Sequence, residues 1–549
     1  MNRKFLVILT CLCVATVTLI ALQSRSTDSL HYKTKEIEEK PLVIIVLSYN
    51  NSEWVEKNIQ SIFSQKYSNY RVIYIDDCSD DNTYELVKTY VNQHNMNDRI
   101  TIIKNKSRKF ALANHFTAGH MCKDHEIMVH LDGDDWFKDD HVLQKVNHVY
   151  SDPNVWITYG QYEVYPGGRI GLCEDFPKIV HQKNIYREYQ WVSSHLRTFY
   201  AWLFKKIKLK DCIHKGHWIP VCCDRVMMFA LLEMAREHSK FIPDVLYVYN
   251  CATSGNLFKK HLVSQWHFNH IISAQSKYPK INKSPIQNPT NKTDKKTAMI
   301  IFSENNPMLA QALLESAQMN IRNINFNVVY LAENKQFNQG YQKLKNKFKN
   351  AKFYSYNKGT ESNLSSIIDK ILTQNNYVLF AHDGIIIKEP INIDRSLQAI
   401  EKTHAYGFYF TLGKNITEYK NLRRPQKLPP FVEVEETISA WPFECGEYNW
   451  SKPQSFSLAL YNAQTVKRAL SHIVYDSPES LETLWAQRLF DPKHVGLIYN
   501  QSPAVIFNET MSPETSLTLF EQGLKLDCST IAHIENKTIY INKEMPLIS

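Results

Sequence analysis

Four consecutive residues, Asp132-Gly133-Asp134-Asp135, set three carboxylates side by side in the chain. Carboxylates this close repel one another and are unfavourable when left unpaired. A divalent cation resolves the repulsion, and Mg²⁺ in such places takes one or two carboxylates together with substrate phosphate oxygens. The plain alternative for an acidic run is a solvated turn. Residues 126–131, which read as a buried strand directly before it, favour the cation. A second acidic loop, Asp76-Asp77-Cys78-Ser79-Asp80-Asp81, also follows a predicted strand.

The elements around these loops form a regular pattern. Leu42-Val43-Ile44-Ile45-Val46-Leu47 is continuously apolar, as a strand covered on both faces must be. Ser48 to Ser52 is turn chemistry, and residues 54–65 carry apolar side chains at helical spacing (55, 59, 62 and 63). Strands follow at 71–75, 99–104 and 126–131, and helices at 83–94 and 111–122. Alternation of this kind predicts an α/β fold with a mainly parallel sheet flanked by helices. Such sheets bind ligands beyond the carboxyl ends of their strands. Topology rather than local spacing therefore brings Tyr49, Asp76, Asp77, Asp132, Asp134 and Asp135 to one rim.

The pattern recurs. Residues 277–297 are rich in Lys, Asn and Pro and read as a linker. Beyond it, Met299-Ile300-Ile301-Phe302 echoes the first strand, Val328 to Leu331 the second, and Tyr377 to Gly384 the fourth. The first two strands start 29 residues apart in both halves (43 to 72, 299 to 328). A diverged internal duplication explains this; two unrelated α/β domains is the alternative. Glu333 falls where Asp77 does, and Asp383-Gly384 where Asp132-Gly133 does, but Ile385 and Ile386 replace Asp134 and Asp135.

Three segments in order, residues 43–50, the Asp76-Asp77-x-Ser79-x-Asp81 loop and Leu131 to Asp135, resemble family 2 glycosyltransferases of GT-A fold, over about residues 41–260. The resemblance implies inverting transfer of a hexosyl or N-acetylhexosaminyl unit from a nucleotide-sugar, usually a UDP-sugar, with Mn²⁺ or Mg²⁺. It implies that Tyr49 lies against the base, that Asp77 accepts from the uracil N–H, and that Asp76 shapes the pocket. Asp132 and Asp134 match the DxD motif, Asp132 facing the ribose or sugar and Asp134 the metal, with Asp135 as a supporting ligand. Inversion needs a base for the acceptor hydroxyl. The family's acidic residue at a helix start matches Asp224, in Cys223-Asp224-Arg225 before the helical run 226–235, although Cys223 stands where the family often has Glu. A plain helix cap is the other reading of Asp224. Arg197, in His195-Leu196-Arg197-Thr198-Phe199, matches a segment of some members and would pair with a diphosphate or an anionic acceptor. The acceptor class is a glycan, a lipid-linked group or a protein. The second half reads as a degenerate GT-A-like domain.

Composition bounds the rest. The chain has 549 residues, 44% hydrophobic and 22% charged, which excludes bulk disorder, collagen and coiled coil. A net charge of +9 without a dense basic block speaks against nucleic acid as a partner. Eleven Cys show no zinc spacing. Residues 5–22 are uncharged and mostly apolar, follow Arg3 and Lys4, and are long enough to span a bilayer. The expected layout is a signal anchor and stem over 1–40, a catalytic domain over 41–276, the linker 277–297, and a second domain over 298–549. The anchor favours a cytoplasmic N-terminus with the domains on the far side; a cleaved signal peptide is the alternative. Rival functions are a catalytically inactive carbohydrate-binding or scaffolding protein, and a nucleotidyltransferase, for which Leu47-Ser48-Tyr49-Asn50 lacks the Gly-rich loop.

Overall fold

The computed structural model describes residues 38–549 except 254–261, 287–294, 360–361, 420–423, 509–510, 532–533 and 542–544. The expected anchor at 5–22 lies outside the described residues. Among the described residues no helix is long and apolar enough to cross a membrane.

The first half follows the predicted alternation: β1 (Leu42–Ser48), α1 (Val55–Phe63), β2 (Tyr70–Asp76), α2 (Thr83–Gln93), β3 (Ile100–Lys104), α3 (Phe110–Met121) and β4 (Ile127–Asp132). The apolar residues of β1 are almost wholly buried, because α1 and its neighbours cover both faces of the sheet. Next come β5 (Trp136–Phe137), α4 (Val142–Tyr150), β6 (Ile157–Tyr165), β7 (Arg169–Ile170), β8 (Thr198–Tyr200), the hairpin β9 (Ile213–His214) and β10 (His217–Trp218), α5 (Cys223–Ala235), β11 (Ser239–Asn250) and α6 (Leu262–Ser273). The main sheet runs β3-β2-β1-β4-β8-β6-β11-β5, with β7 hanging from β6. Strands β1 to β4 are parallel, β8 is antiparallel to both β4 and β6, β11 is parallel to β6, and β5 antiparallel to β11.

The second half repeats this plan with β12 (Thr297–Glu304), α7 (Pro307–Asn320), β13 (Asn325–Leu331), β14 (Ala351–Ser355), β15 (Tyr377–His382), β16 (Ile385–Ile387) and β17 (Gly407–Tyr409). A small ribbon, β18 (Glu418–Tyr419) with β19 (Arg424–Pro425), precedes β20 (Val432–Glu435), β21 (Ile438–Pro442), β22 (Ala459–Asn462), β23 (Val495–Tyr499) and β24 (Ala504–Phe507). Its sheet order is β14-β13-β12-β15-β22-β17-β23-β21-β20. The directions match as well: β22 is antiparallel to β15 and β17, and β23 is parallel to β17. The β5–β11 pairing has its counterpart in the antiparallel pair β16–β24. Strand order and direction thus agree over seven strands and the six pairings between them, as the duplication reading requires.

The halves share apolar contacts. Phe116, Leu209 and Ile213 of the first half belong to the core of the second. His404 Nε2 lies 2.9 Å from the Lys205 carbonyl, and Lys210 pairs with Asp491 at 3.1 Å. The stretch expected as a free linker is partly built in. Tyr278 is buried, donates its hydroxyl to Asp211 at 2.5 Å, and gives its N–H to Glu233 at 2.8 Å.

Among the described residues, Glu233 belongs to a tight, almost fully buried ion pair. Arg187 meets it with Nε–Oε1 at 2.6 Å and Nη2–Oε2 at 2.9 Å, and the side chains are 3% and 0% exposed. The same guanidinium donates to the carbonyls of Ile272 and Gln275. This pair therefore ties α5 to the end of α6. Glu233→Ala, which strands a buried cation, is expected to destabilise the chain by about 3–5 kcal/mol; denaturant unfolding monitored by circular dichroism checks it.

Candidate active site

The acidic turn is held by the protein on every side. Asp132 closes β4, and the Gly133 N–H bonds the Leu47 carbonyl at 2.9 Å. A Cβ at Gly133 would sit 2.5 Å from the Ser48 side chain, so only glycine fits. Asn58, wholly buried, donates to the carbonyls of Asp132 (3.0 Å) and Asp135 (2.7 Å). Tyr247 on β11 accepts the Asp132 N–H at 3.2 Å and donates to Asp135 Oδ2 at 2.5 Å. Asn250 gives its N–H to Asp135 Oδ1 at 2.7 Å and its amide to the Asp134 carbonyl at 3.1 Å.

The three carboxylates feel one another as their spacing demands. Burial, then Asp132, pushes the Asp134 carboxyl up to about 7. Burial raises Asp132 too, with Arg197 opposing and Asp224 assisting. Asp135 is driven well above the usual carboxylate range by burial, Asp134 and Asp132. Each Asp135 oxygen accepts from one protein donor, Tyr247 or Asn250, which anchors the turn and leaves acceptor positions open on the carboxylate. Asp134 has no such partner: among the described residues, beyond its own backbone N–H no donor reaches its carboxylate.

Asp224 and Arg197 come to the same place. Cys222 takes a left-handed conformation (φ 60°), which turns the chain sharply into α5 and sets Asp224 in its first turn. There the helix dipole favours a carboxylate. Asp224 Oδ1 accepts the Arg225 N–H at 2.9 Å. Arg197 is buried, and although burial works against its charge, Asp224 and Asp132 outweigh it. His195 stacks on Tyr247 (ring centroids 4.4 Å apart) and on Tyr249 (5.6 Å), with Nε2 3.1 Å from Arg197 Nη2. Burial and Arg197 keep its imidazole neutral, well below 6.5. Asp132, Arg197 and Asp224 are thus one electrostatic unit assembled from β4, β8 and α5.

On the other side of the rim, Asp76 is wholly buried, and its Oδ2 accepts the Ser79 N–H at 3.1 Å. Asp77 takes three protein donors: the Asn105 amide and the Lys109 N–H on Oδ1 (2.8 Å each), and the Phe110 N–H on Oδ2 (2.9 Å). A carboxylate has about four acceptor positions, so Oδ2 keeps one for a ligand. Tyr49 is half-buried, and the Arg108 guanidinium lies 3.5 Å from its ring centroid. Sequence reasoning missed Arg108, Asn58, Tyr247 and Asn250. Asn58 could have been flagged as a polar residue on the apolar face of α1. The other three carry no local signal.

The residues fit a cation bound with substrate rather than caged by protein. Among the described residues, the tight three-ligand group is Asp139, Asp140 and His141. It lies elsewhere on the surface, tied to Lys66 and Lys145. At the rim, Asp134 offers free oxygens beside Asp132, and substrate oxygens would complete the shell.

The second half shows what the same frame looks like without this chemistry. The Asp383 N–H bonds the Phe302 carbonyl at 2.9 Å, as Gly133 bonds Leu47. Leu47 pairs with Asp132 and Ile75, and Phe302 with His382 and Val329. His382 therefore stands where Asp132 stands, Gly384 where Asp134 does, and Ile385 where Asp135 does. Tyr330 and Leu331 occupy the places of Asp76 and Asp77. Val129 faces Thr198 and Leu379 faces Leu460, so Ala459 replaces Arg197. This shifts the sequence-based alignment by one residue at Asp383-Gly384 and by two at Glu333.

Sheet order and strand-end acidic turn together define a GT-A-like α/β fold. Residues 43–220 match the model of glycosyl transferase family 2, so the first half carries a domain of that family. Two bacterial proteins are similar over part of the chain. One, named as the colanic acid biosynthesis glycosyl transferase WcaA of Escherichia coli K12, is 25% identical over 177 residues, 31% of this chain and 61% of the relative. The other, named as the glycosyltransferase EpsE of Bacillus subtilis 168, is 34% identical over 97 residues, 17% of this chain and 34% of the relative. The chain thus spans less than two thirds of either. Among solved structures, Staphylococcus aureus TarS 1–349 in complex with UDP aligns at 13% identity and a TM-score of 0.30 (38% of this chain, 60% of that one). The mannosyltransferase PcManGT of Pyrobaculum calidifontis, in complex with GDP-Man and Mn²⁺, aligns at 18% and 0.31 (44% and 66%).

Two measurements probe the turn. Tyr247→Phe removes the hydroxyl that joins Asp132 to Asp135; it is expected to lower stability by about 1–3 kcal/mol and to weaken Mn²⁺ binding in a calorimetric titration. The second follows from Asp134. Its carboxyl is raised from 3.8 to about 7, so between those pH values the folded chain holds the extra proton. Stability therefore falls as pH rises through the window. In chelator at pH 8, Asp134→Asn is expected to melt on the order of a few degrees above the parent chain. The gap should close towards pH 4, and added Mn²⁺ should raise the parent alone.

Proposed function

We propose that the first half is an inverting, metal-dependent glycosyltransferase. It moves a sugar from a UDP-sugar to a hydroxyl of a glycan, lipid-linked or protein acceptor. The reading carries with it a membrane anchor at residues 5–22, with the domains on the non-cytoplasmic side. One observation supports it above the rest: Asp132, Asp134, Arg197 and Asp224 meet at one strand-end rim, whereas the topologically matching second half keeps none of the equivalents for which the sheet gives a register.

Each group then has a task. Tyr49, with Arg108, offers a flat face to a base, and the remaining acceptor position of Asp77 suits a ring N–H. Asp134 is the ligand for Mn²⁺ or Mg²⁺, which when bound neutralises the charge developing on a diphosphate leaving group. Asp132 faces the sugar side, and Arg197 adds a fixed positive charge behind it. Asp224 takes the proton from the attacking acceptor hydroxyl. Its Oδ2 carries no described donor, as a base requires, whereas an N-cap would bind backbone N–H groups further along the helix. Attack and departure on opposite faces of the sugar need no covalent enzyme intermediate. The second half serves as a scaffold, consistent with its apolar replacements and shared core.

The test is UDP release from a panel of UDP-sugars by the detergent-solubilised full chain, with Mn²⁺ or with chelator. One sugar is expected to be turned over, with Asp134→Ala losing at least about 100-fold and Asp224→Asn about 10²–10⁴-fold. Asp224→Asn should retain UDP binding. A folded chain that neither binds UDP with metal nor releases it from any donor overturns the proposal in favour of an inactive binding protein.

A further inference from the structure

Exposed apolar side chains elsewhere on this surface are mostly scattered, as on any protein. Helix α6 differs. Leu262, Val263 and Trp266 are 60%, 83% and 65% exposed. At spacings i, i+1 and i+4 they share one helical face. His267 and His270 continue that face and are also exposed, and the helix contains no acidic residue. On the flank facing the second half, Ile271 and Gln275 line a cleft with Lys210, Lys215 and Lys493 opposite Glu444. The helix is firmly seated from behind: Ile272 is buried, and its carbonyl accepts from Arg187.

Its place in the molecule gives this face a meaning. The Gln265 carbonyl accepts a hydrogen bond from Cys222 Sγ at 3.7 Å, two residues before Asp224. The apolar face is therefore next to the side of the rim where an acceptor hydroxyl must enter. We propose that α6 is a second contact with the lipid bilayer, in which Leu262, Val263 and Trp266 enter the headgroup region. This rests on the anchored reading above. Residues 5–22 would hold the chain at the surface, and residues 23–37, at most about 54 Å when extended, keep the domain within reach. A tryptophan flanked by aliphatic side chains suits the water–lipid boundary. The lack of acidic residues on the helix, with Lys215 and Lys493 in the neighbouring cleft, favours anionic lipids. The contact would turn the rim towards the membrane and select a lipid-linked acceptor among the classes considered.

Trp266 is the one tryptophan among the large exposed apolar residues, and residues 1–40 contain none. Its fluorescence therefore reports the contact directly. The full chain is reconstituted into phosphatidylcholine–phosphatidylglycerol vesicles containing brominated lipid, which quenches tryptophan on contact. A quenched component is expected that largely disappears in Trp266→Phe and shrinks in Val263→Glu with Trp266 in place. Sodium carbonate extraction of the same vesicles reports the anchor separately. If the chain resists extraction but shows no quenching, or if quenching persists unchanged in Trp266→Phe, the α6 contact is wrong and the anchor stands. If carbonate strips the chain, the anchored reading falls and the inference falls with it.

Discussion

A carboxylate next to two others, in a largely buried turn, is costly to keep charged without help. At the end of β4 the chain puts Asp132, Asp134 and Asp135 in this position and then surrounds them with donors. Asp135 accepts from Tyr247 and Asn250, and Arg197 offsets part of the cost at Asp132. Among the described residues Asp134 has only its own backbone N–H. The turn is therefore stable enough to exist but incomplete by one positive charge. In the proposed transferase a cation arriving with a diphosphate would supply it.

The second half shows the reverse solution. Its sheet has the same order and directions, and the turn after β15 makes the same hydrogen bond to the first strand. At that turn the carboxylate positions carry His382, Gly384 and Ile385, and Ile385 to Ile387 form a buried strand against β24. Replacing paired buried charges by packed apolar groups is commonly neutral or stabilising. The frame shares a core with the first half through Phe116, Leu209 and Ile213.

How much of this could be read from the chain is uneven, and the unevenness has causes. The strands and helices up to β4 were legible because both faces of a parallel sheet are covered, so each strand is an unbroken apolar run. Tyr49, Asp76, Asp77 and the acidic turn were legible because the carboxyl ends of such strands share one rim. Asp224 and Arg197 were reached through family resemblance, since β8 and α5 enter the sheet out of sequence order. Tyr247 and Asn250 were invisible: they lie more than 100 residues from the turn they hold and look like any strand residues. The register of the second half was misread by one and two residues because an Asp-Gly pair and a lone Glu resemble the motif, while only hydrogen bonds fix which residue faces which.

The position of Asp224 shows how far the site's geometry depends on structure remote from the rim. The carboxylate rides on the first turn of α5, and the sharp entry at Cys222 leaves that turn no long segment to brace it. What fixes the helix is at its other end, where Glu233 meets Arg187 and Tyr278. Those partners reach onward to the carbonyls at the end of α6. A shift of α5 by a fraction of an ångström would move Asp224 relative to Arg197, whose charge Asp224 and Asp132 favour, so the charge balance at the rim would change. The buried ion pair is then explained less by what it adds to stability, since buried pairs add little net, than by the directional bonds it makes to two helices and the segment after them. An apolar pair of equal volume could fill the space but could not set the angle.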